Sequence, residues 1–217
     1  MLPNEVVKYR APVRVLHWIH SGAFVLLFIT GFMLYLKRLT FRSLEEWTRT
    51  IHLSAAVVFV IVPVIYLIIF PRSAFRGLKV AFSWGKDDFK WLIAAPRFYL
   101  LGDEKNMPPQ GILNSGQKLW WLLTILSVIV FGVTGATMWF FLKTAPADVL
   151  NQMIMAHDIA FIVMGALFLG HIYLGLFNPK MTEALRAMTK GKISAEYAEK
   201  YHGKWYTEKG GNEEKNP

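Results

Sequence analysis

The stretch that decides the fold is residues 149–179, VLNQMIMAHDIAFIVMGALFLGHIYLGLFNP, which contains one acidic residue, Asp158, and no lysine or arginine. An α-helix needs about 20 apolar residues to cross the roughly 30 Å of hydrocarbon in a bilayer, and this stretch is longer than that. It therefore predicts a membrane-spanning helix. It also contains two histidines, His157 and His171, on which the functional prediction below depends.

Three further stretches have no Asp, Glu, Lys or Arg and are long enough to span a bilayer. In lipid, backbone polar groups must be satisfied within a helix or a closed barrel. We therefore predict an all-α fold, a four-helix transmembrane bundle in a single integral membrane domain (residues 1–217). Its spans are predicted at about 15–36, 50–71, 119–142 and 149–177.

Composition supports a membrane protein and excludes several classes. Apolar residues make up 54% of the 217 residues and charged residues 18%, against roughly a quarter charged in soluble domains. The net charge of +9 is compatible with binding to nucleic acid or to an anionic membrane surface. The excess of apolar residues favours the membrane, with lipid as a partner. With no cysteine, the chain cannot hold a disulfide, an iron–sulfur cluster or a covalently attached c-type haem.

The basic residues predict the orientation. With four spans, both termini lie on the same side as the loop 72–118, and that side has 19 of the 24 lysines and arginines. The positive-inside rule places it in the cytoplasm, which gives a multi-pass protein of the bacterial cytoplasmic (inner) membrane. Aromatic and basic residues alternate in the loop 72–118 and mix in the tail 180–217, which predicts interfacial helices on the cytoplasmic side.

Five of the six histidines lie in the predicted spans, where ionisable groups are costly and usually functional. Their depths pair His52 with His157 near the outer side and His17 with His171 near the inner side. The fourteen residues from His157 to His171 correspond to about 21 Å along a helix, and the two side chains lie about 40° apart on one face. This arrangement predicts two bis-histidine haems b, one in each leaflet, that carry electrons and have no open iron position.

Three other residues leave alternatives open. His20 either ligates the inner haem in place of His17 or donates a hydrogen bond near that haem. His202 is predicted to be solvated or to contact another subunit. Four roles are open for Asp158. It either points to water, lowers the potential of the outer haem, accepts a hydrogen bond from a ring N–H, or pairs with Arg49 or Arg42.

The chain resembles the cytochrome b (gamma) subunits of respiratory formate dehydrogenases over nearly its whole length. The spacing of the histidines and the Asn-x-Gly-Gln-Lys segment are the most specific features. The motifs that carry the resemblance are Leu16-His17-Trp18, Arg49-Thr50-Ile51-His52, Asp88-Phe89-Lys90-Trp91-Leu92, Asn114-Ser115-Gly116-Gln117-Lys118, Gly170-His171-Ile172-Tyr173 and His202-Gly203-Lys204-Trp205-Tyr206.

This resemblance implies a function within a larger complex. The chain would be a non-catalytic electron-transfer subunit that receives electrons from an outer iron–sulfur (beta) subunit, which has its own membrane helix. A molybdenum or tungsten catalytic (alpha) subunit would oxidise formate. The two haems would pass the electrons to menaquinone near the cytoplasmic face, which contributes to the proton motive force. Apolar outer faces leave room for a higher oligomer.

The resemblance also implies a quinone site at Asn114, Gly116, Gln117 and Lys118, next to His171. Amide groups supply the donors that quinone carbonyls need. A structural reading competes with this one, since Asn114 can cap the third span and Lys118 can anchor it at the interface.

Two other functions remain open at this point. One is a quinol-oxidising cytochrome b subunit of a hydrogenase or of another molybdoenzyme reductase, of the thiosulfate or polysulfide type. The other is a haem-free membrane scaffold or transporter whose histidines bridge helices.

Overall fold

The structure, a computed structural model, describes residues 4–40, 46–105 and 107–213; the side chains of 39–40 and 209–213 are outside this description. Four of its helices are long and apolar enough to cross a membrane by length and composition. They are α1 (Ala11–Thr40), α2 (Glu46–Ile69), α5 (Ser115–Phe140) and α6 (Ala147–Ile172). Two shorter helices, α3 (Pro71–Phe82) and α4 (Lys86–Leu101), lie between α2 and α5 in the chain.

The predicted transmembrane helical bundle is confirmed, with ends that differ from the sequence boundaries. α1 begins at Ala11 and continues to Thr40, beyond Arg14 and Lys37, which bound the predicted span. A charged side chain at the membrane interface does not interrupt helical hydrogen bonding, because its stem can extend to the headgroups. Each charge-free window therefore begins two to four residues after the first residue of its helix, while identifying the helix correctly.

The last span changes geometry after its second histidine. α6 runs as a regular α-helix to Ile172, and Tyr173–Phe177 continue it as a π-helix. Both His157 and His171 therefore lie within one uninterrupted α-helix, so the spacing and shared face expected from the sequence apply. π-Helical turns are rare overall, but those that occur are often found at functional sites.

The chain forms two compact units. The span unit comprises Pro12–Pro71 and Thr124–Asn178, and the loop-and-tail unit comprises Met1–Ala11, Arg72–Leu123 and Pro179–Pro217.

The loop-and-tail unit contains a small sheet that the sequence did not predict. Strands β1 (Glu5–Val7) and β2 (Lys192–Ser194) pair antiparallel, with Val6 opposite Ile193. Their apolar side chains pack with Ala187 and Ala198 into a core surrounded by Tyr9, Tyr197, Trp205 and Tyr206. The tail helices around this core are α7 (Thr182–Lys190), α8 (Ala195–Tyr201) and α9 (Gly203–Glu213). The N-terminal segment and the tail are thus folded together.

The long loop between the second and third spans is helical, as expected. In α3, Phe75 and Phe82 are exposed, which suits a helix lying in the headgroup region. α4 begins after Gly85, whose backbone N–H donates to Asp88 Oδ2 at 2.9 Å. It ends at Gly102, whose φ of 73° is left-handed and favours glycine.

Candidate functional site: paired histidines of the spans

Two histidines from different helices face each other in the span unit. The ring centroids of His52 on α2 and His157 on α6 lie 6.5 Å apart, with an interplanar angle of 59°. The structure therefore brings together the pair that depth alone matched.

This spacing fits a metal ion between the rings. A metal–imidazole bond is about 2.0 Å and the ring centre lies about 1.1 Å further, so two axial imidazoles place their centroids roughly 6.3 Å apart. Within the described residues, no three His, Asp or Glu side chains come together as a metal site. A pair of imidazoles at this distance fits the two axial positions of a haem iron, whereas a structural zinc site needs four ligands.

Each histidine of this pair has a threonine behind it. Nδ1 of His52 lies 2.9 Å from Thr30 Oγ1 on α1, and Nδ1 of His157 lies 2.8 Å from Thr134 Oγ1 on α5. Both threonines are buried, at 3% and 4% exposure. With Nδ1 occupied on both rings, Nε2 is the nitrogen left to bind a metal.

A glycine follows each threonine beside the same ring. A Cβ added at Gly31 would lie 3.5 Å from Cε1 of His52, and one added at Gly135 would lie 3.7 Å from Cε1 of His157. The Thr-Gly pair thus occurs once in the first span and once in the third, against the two rings of one site. Sequence reasoning missed Thr30 and Thr134, and this repeated dipeptide was the signal for them.

The second pair lies in the other half of the spans. His17 lies in the second turn of α1, and His171 is the penultimate residue of α6. Nδ1 of His17 is buried, and no described residue forms a hydrogen bond with it. The pairing of His17 with His171 at the inner side stays a prediction.

His20 has a different environment. Its ring stacks on Phe59 of α2 with centroids 3.8 Å apart and an interplanar angle of 16°. Nε2 of His20 is buried, and no described residue bonds to it. The ring is thus held flat against an aromatic side chain of α2.

Asp158 forms an ion pair with Arg38, at the end of α1. The sequence named Arg49 or Arg42 as its partner or left it pointing to water. The pairing with Arg38 corrects this, and Arg42 lies outside the described residues. Arg38 was missed because the charge-free window ended at Lys37, whereas α1 continues and carries Arg38 to the level of Asp158. A carboxylate next to His157 is therefore balanced by a neighbouring cation.

The residues predicted to bind a quinone lie close together at the start of α5. Asn114 and Gln117 form a reciprocal cap: Gln117 N–H donates to Asn114 Oδ1 at 2.8 Å, and Asn114 N–H donates to Gln117 Oε1 at 3.0 Å. Only the amide oxygens are used, and no described residue accepts a hydrogen bond from either side-chain NH₂. The cap therefore leaves two amide donors available.

Lys118 is held by a buried ion pair. Its ammonium donates to Asp88 Oδ1 at 2.8 Å, to Asp88 Oδ2 at 3.0 Å and to the Ser83 carbonyl at 2.7 Å. Burial opposes ionisation of Asp88, but hydrogen bonds from Lys118, Gly85 and Ser115 outweigh it, so its pKa lies below the usual value. All three ammonium hydrogens of Lys118 are thus committed to protein groups.

Gly116 lies directly against an aromatic ring. A Cβ at this position would come within 3.1 Å of the Trp91 indole, closer than ordinary contact. A glycine here lets α5 start against α4.

His202 is buried, at 2% exposure, so the prediction that it is solvated is wrong. Its Nδ1 donates to the Gly111 carbonyl at 2.7 Å, and Lys8 Nζ donates to its Nε2 at 2.7 Å. Burial lowers the pKa of Lys8 to about 7, and burial, together with Lys8, lowers the pKa of His202 to about 3. The motif His202–Tyr206 therefore anchors the tail to the N-terminal segment.

Comparison with known proteins gives the family. The model of the prokaryotic cytochrome b561 family matches residues 8–191. A formate dehydrogenase cytochrome b556(fdo) subunit of Escherichia coli K12 is 24% identical over 94% of this chain and 93% of its own. A formate dehydrogenase cytochrome b556 subunit of Haemophilus influenzae is 27% identical over 94% and 84%, and the nitrate-inducible subunit of E. coli K12 is 29% identical over 57% and 56%. These relatives confirm the resemblance carried by the motifs. The family implies haem b, and the chain belongs to the prokaryotic cytochrome b561 family.

Proposed function

We propose that the chain is the di-haem b membrane subunit of a formate dehydrogenase complex and delivers electrons to menaquinone. The observation that carries the proposal is the 6.5 Å spacing of His52 and His157, with both Nδ1 atoms held by threonines. The names of the relatives, formate dehydrogenase cytochrome b556 subunits, support the parent complex.

The four ligands form two pairs. His52 and His157 hold the outer haem, and His17 and His171 hold the inner one. The bound haems supply one-electron transfer between an outer iron–sulfur subunit and the quinone. The protein residues fix the imidazoles, keep water away from them and separate the pairs by the length of α6 between its two histidines, about 21 Å along the helix.

The quinone site proposed here uses donors at the start of α5. The side-chain NH₂ groups of Asn114 and Gln117 donate to the quinone carbonyls, since their amide oxygens are already used by the cap. Lys118 and Gly116 hold α5 in place through Asp88 and Trp91. Reduction of menaquinone to menaquinol takes up two electrons and two protons, and the protons come from the cytoplasm.

The proposed orientation places both termini in the cytoplasm of a bacterium, with the chain in the inner membrane. The loop-and-tail unit has most of the basic residues, which favours the cytoplasmic side. The partners are the iron–sulfur subunit with its membrane helix and the molybdenum or tungsten subunit. Exposed apolar side chains on the span helices are available for a partner helix and for lipid.

Haem content per chain tests the proposal. The purified chain is expected to hold two b haems by pyridine haemochrome. His52→Ala and His157→Ala are each expected to lose one haem, and the same one. His20→Ala is the matched control in the same spans and is expected to keep both. No haem in the wild-type chain would refute the cytochrome function. A His52→Ala chain with two haems would refute the ligand pairing.

The parent enzyme needs a separate assay. The complex purified through this chain is expected to reduce a menaquinone analogue with formate as donor. Menaquinol-dependent reduction of thiosulfate or polysulfide, without formate oxidation, would instead support the quinol-oxidising alternative.

A further inference from the structure

The two histidines of the outer pair share one supporting arrangement, and its effect on the haem they hold goes beyond the proposed function. Thr30 on α1 and Thr134 on α5 each lie one helical turn after a carbonyl that their hydroxyl contacts. The Oγ1 of Thr30 is 2.6 Å from the Leu26 carbonyl, and the Oγ1 of Thr134 is 2.7 Å from the Val130 carbonyl.

These distances determine which atom donates. A hydroxyl has one hydrogen and two lone pairs, and a carbonyl can only accept. Two oxygens at 2.6 to 2.7 Å need a hydrogen between them, so each hydroxyl hydrogen is directed at its carbonyl. The same oxygen therefore accepts from the histidine, and Nδ1 of His52 and of His157 carries the proton.

We propose that Thr30 and Thr134 are positioning residues that set the tautomer and the basicity of the outer haem ligands. This inference rests on the proposed function, in which His52 and His157 bind the outer haem. A protonated Nδ1 leaves the Nε2 lone pair for the iron. A hydrogen bond from Nδ1–H to an acceptor raises the basicity of the imidazole. A more basic ligand stabilises ferric over ferrous iron, so the threonines lower the reduction potential of the outer haem.

The inner pair differs in one respect. Nδ1 of His17 is buried and has no hydrogen-bond partner among the described residues. At least one inner ligand thus lacks the acceptor that both outer ligands have. This difference lowers the potential of the outer haem relative to the inner one, which favours electron flow from the outer side toward the cytoplasmic side.

Valine substitution tests the inference because valine keeps the shape of threonine and removes its acceptor. In the haem-loaded full chain, Thr30→Val and Thr134→Val are each expected to keep two haems and to raise one of the two reduction potentials. The expected change is about tenfold in the reduction equilibrium, which corresponds to about 59 mV for one electron. The low-spin ferric signal of the same haem is expected to shift in electron paramagnetic resonance spectra.

The control variants separate positioning from packing. Thr30→Ser and Thr134→Ser retain the hydroxyl and are expected to keep the wild-type potential. Thr137→Val is the matched control on α5: its hydroxyl contacts the Val133 carbonyl at 2.8 Å in the same way, but it is half-buried and forms no hydrogen bond with a histidine among the described residues. It is expected to change neither potential.

The outcomes distinguish this inference from the proposed function. Two haems whose potentials and signals are unchanged in both valine variants would overturn the inference and leave the proposed function standing. A wild-type chain without haem would overturn both. If the valine variants do not accumulate, Thr30→Cys and Thr134→Cys, whose thiol is a weaker acceptor of similar size, are each expected to raise the potential. An unchanged potential in that variant overturns the inference equally.

Discussion

Removing the charge of Asp88 tests whether the Asp88–Lys118 pair is a structural element of the loop-and-tail unit. Both side chains are about 10% exposed, and the Lys118 ammonium contacts only Asp88 and the Ser83 carbonyl among the described residues. Asp88→Asn leaves this cation buried without a counter-charge, which costs about 3–5 kcal/mol. For a chain of this length, that corresponds to a decrease in Tm of about 6 to 20 °C.

Thermal unfolding of the purified full chain in detergent, followed by tryptophan fluorescence, measures this decrease. Asp87→Asn is the matched control, because Asp87 precedes Asp88 and pairs with the exposed Lys204; its effect on Tm is expected to be small, since solvent screens such a pair. The double variant Asp88→Asn with Lys118→Met removes both charges and is expected to recover much of the loss. Equal Tm values for the two single variants would refute the reasoning.

The same pair predicts a pH dependence. The pKa of Asp88 is lower in the fold than its ordinary value of 3.8. Its stabilising contribution is therefore complete above that value and is lost as the pH falls through the lower, folded-state pKa. Asp88→Asn is expected to weaken the acid-induced decrease in Tm. An acid profile identical to that of the wild type would contradict this assignment.

Three further perturbations have defined outcomes. His171→Ala is expected to lose the inner haem and quinone turnover and to leave the outer haem reducible; two haems with normal turnover would contradict the pairing. Asp158→Asn leaves Arg38 uncompensated beside the outer ligand and is expected to raise the outer potential by tens of millivolts; Asp148→Asn, on the same helix, is the control. The unfolded chain binds more protons than the fold between the folded pKa of Lys8, about 7, and its ordinary 10.5. Stability therefore rises with pH over this range, by up to about 1.4 kcal/mol per unit, and Lys8→Met is expected to flatten that rise in a Tm series.

The spans and the pairing of the outer histidines could be predicted because a membrane restricts the possible structures. Charge-free length identifies each helix, and depth identifies which histidines are level. His52 and His157 come from different helices, yet each lies in the first half of its span helix, at the depth that the sequence assigned to one side. The helix register then predicts that His157 and His171 share one face, since both lie on the unbroken α6.

The supporting contacts could not be predicted, because they join residues far apart in the chain. A threonine in an apolar span usually bonds to its own helix, and nothing in the sequence says that Thr30 also reaches His52. Likewise His202 and Lys8 are 194 positions apart, and a histidine in a polar tail reads as solvated. β1 and β2 have three residues each, too few for a periodic signal.

The threonine contacts also bear on why the outer histidines lie where they do. In hydrocarbon, a polar group without a partner costs several kcal/mol, so a span that buries an imidazole is stabilised when both ring nitrogens have partners. The threonine satisfies Nδ1 at no loss of its own bond, because its hydrogen already serves the carbonyl one turn earlier. Nε2 is then an acceptor on each ring, and among the described residues no donor lies against either one. Two acceptors on facing rings cannot satisfy each other by a hydrogen bond, whereas a metal ion between them accepts both lone pairs. The arrangement of Thr30, His52, His157 and Thr134 is thus stable in a bilayer when an iron lies between the rings. This is why loss of either histidine is expected to remove the outer haem, whereas loss of either threonine changes only its potential.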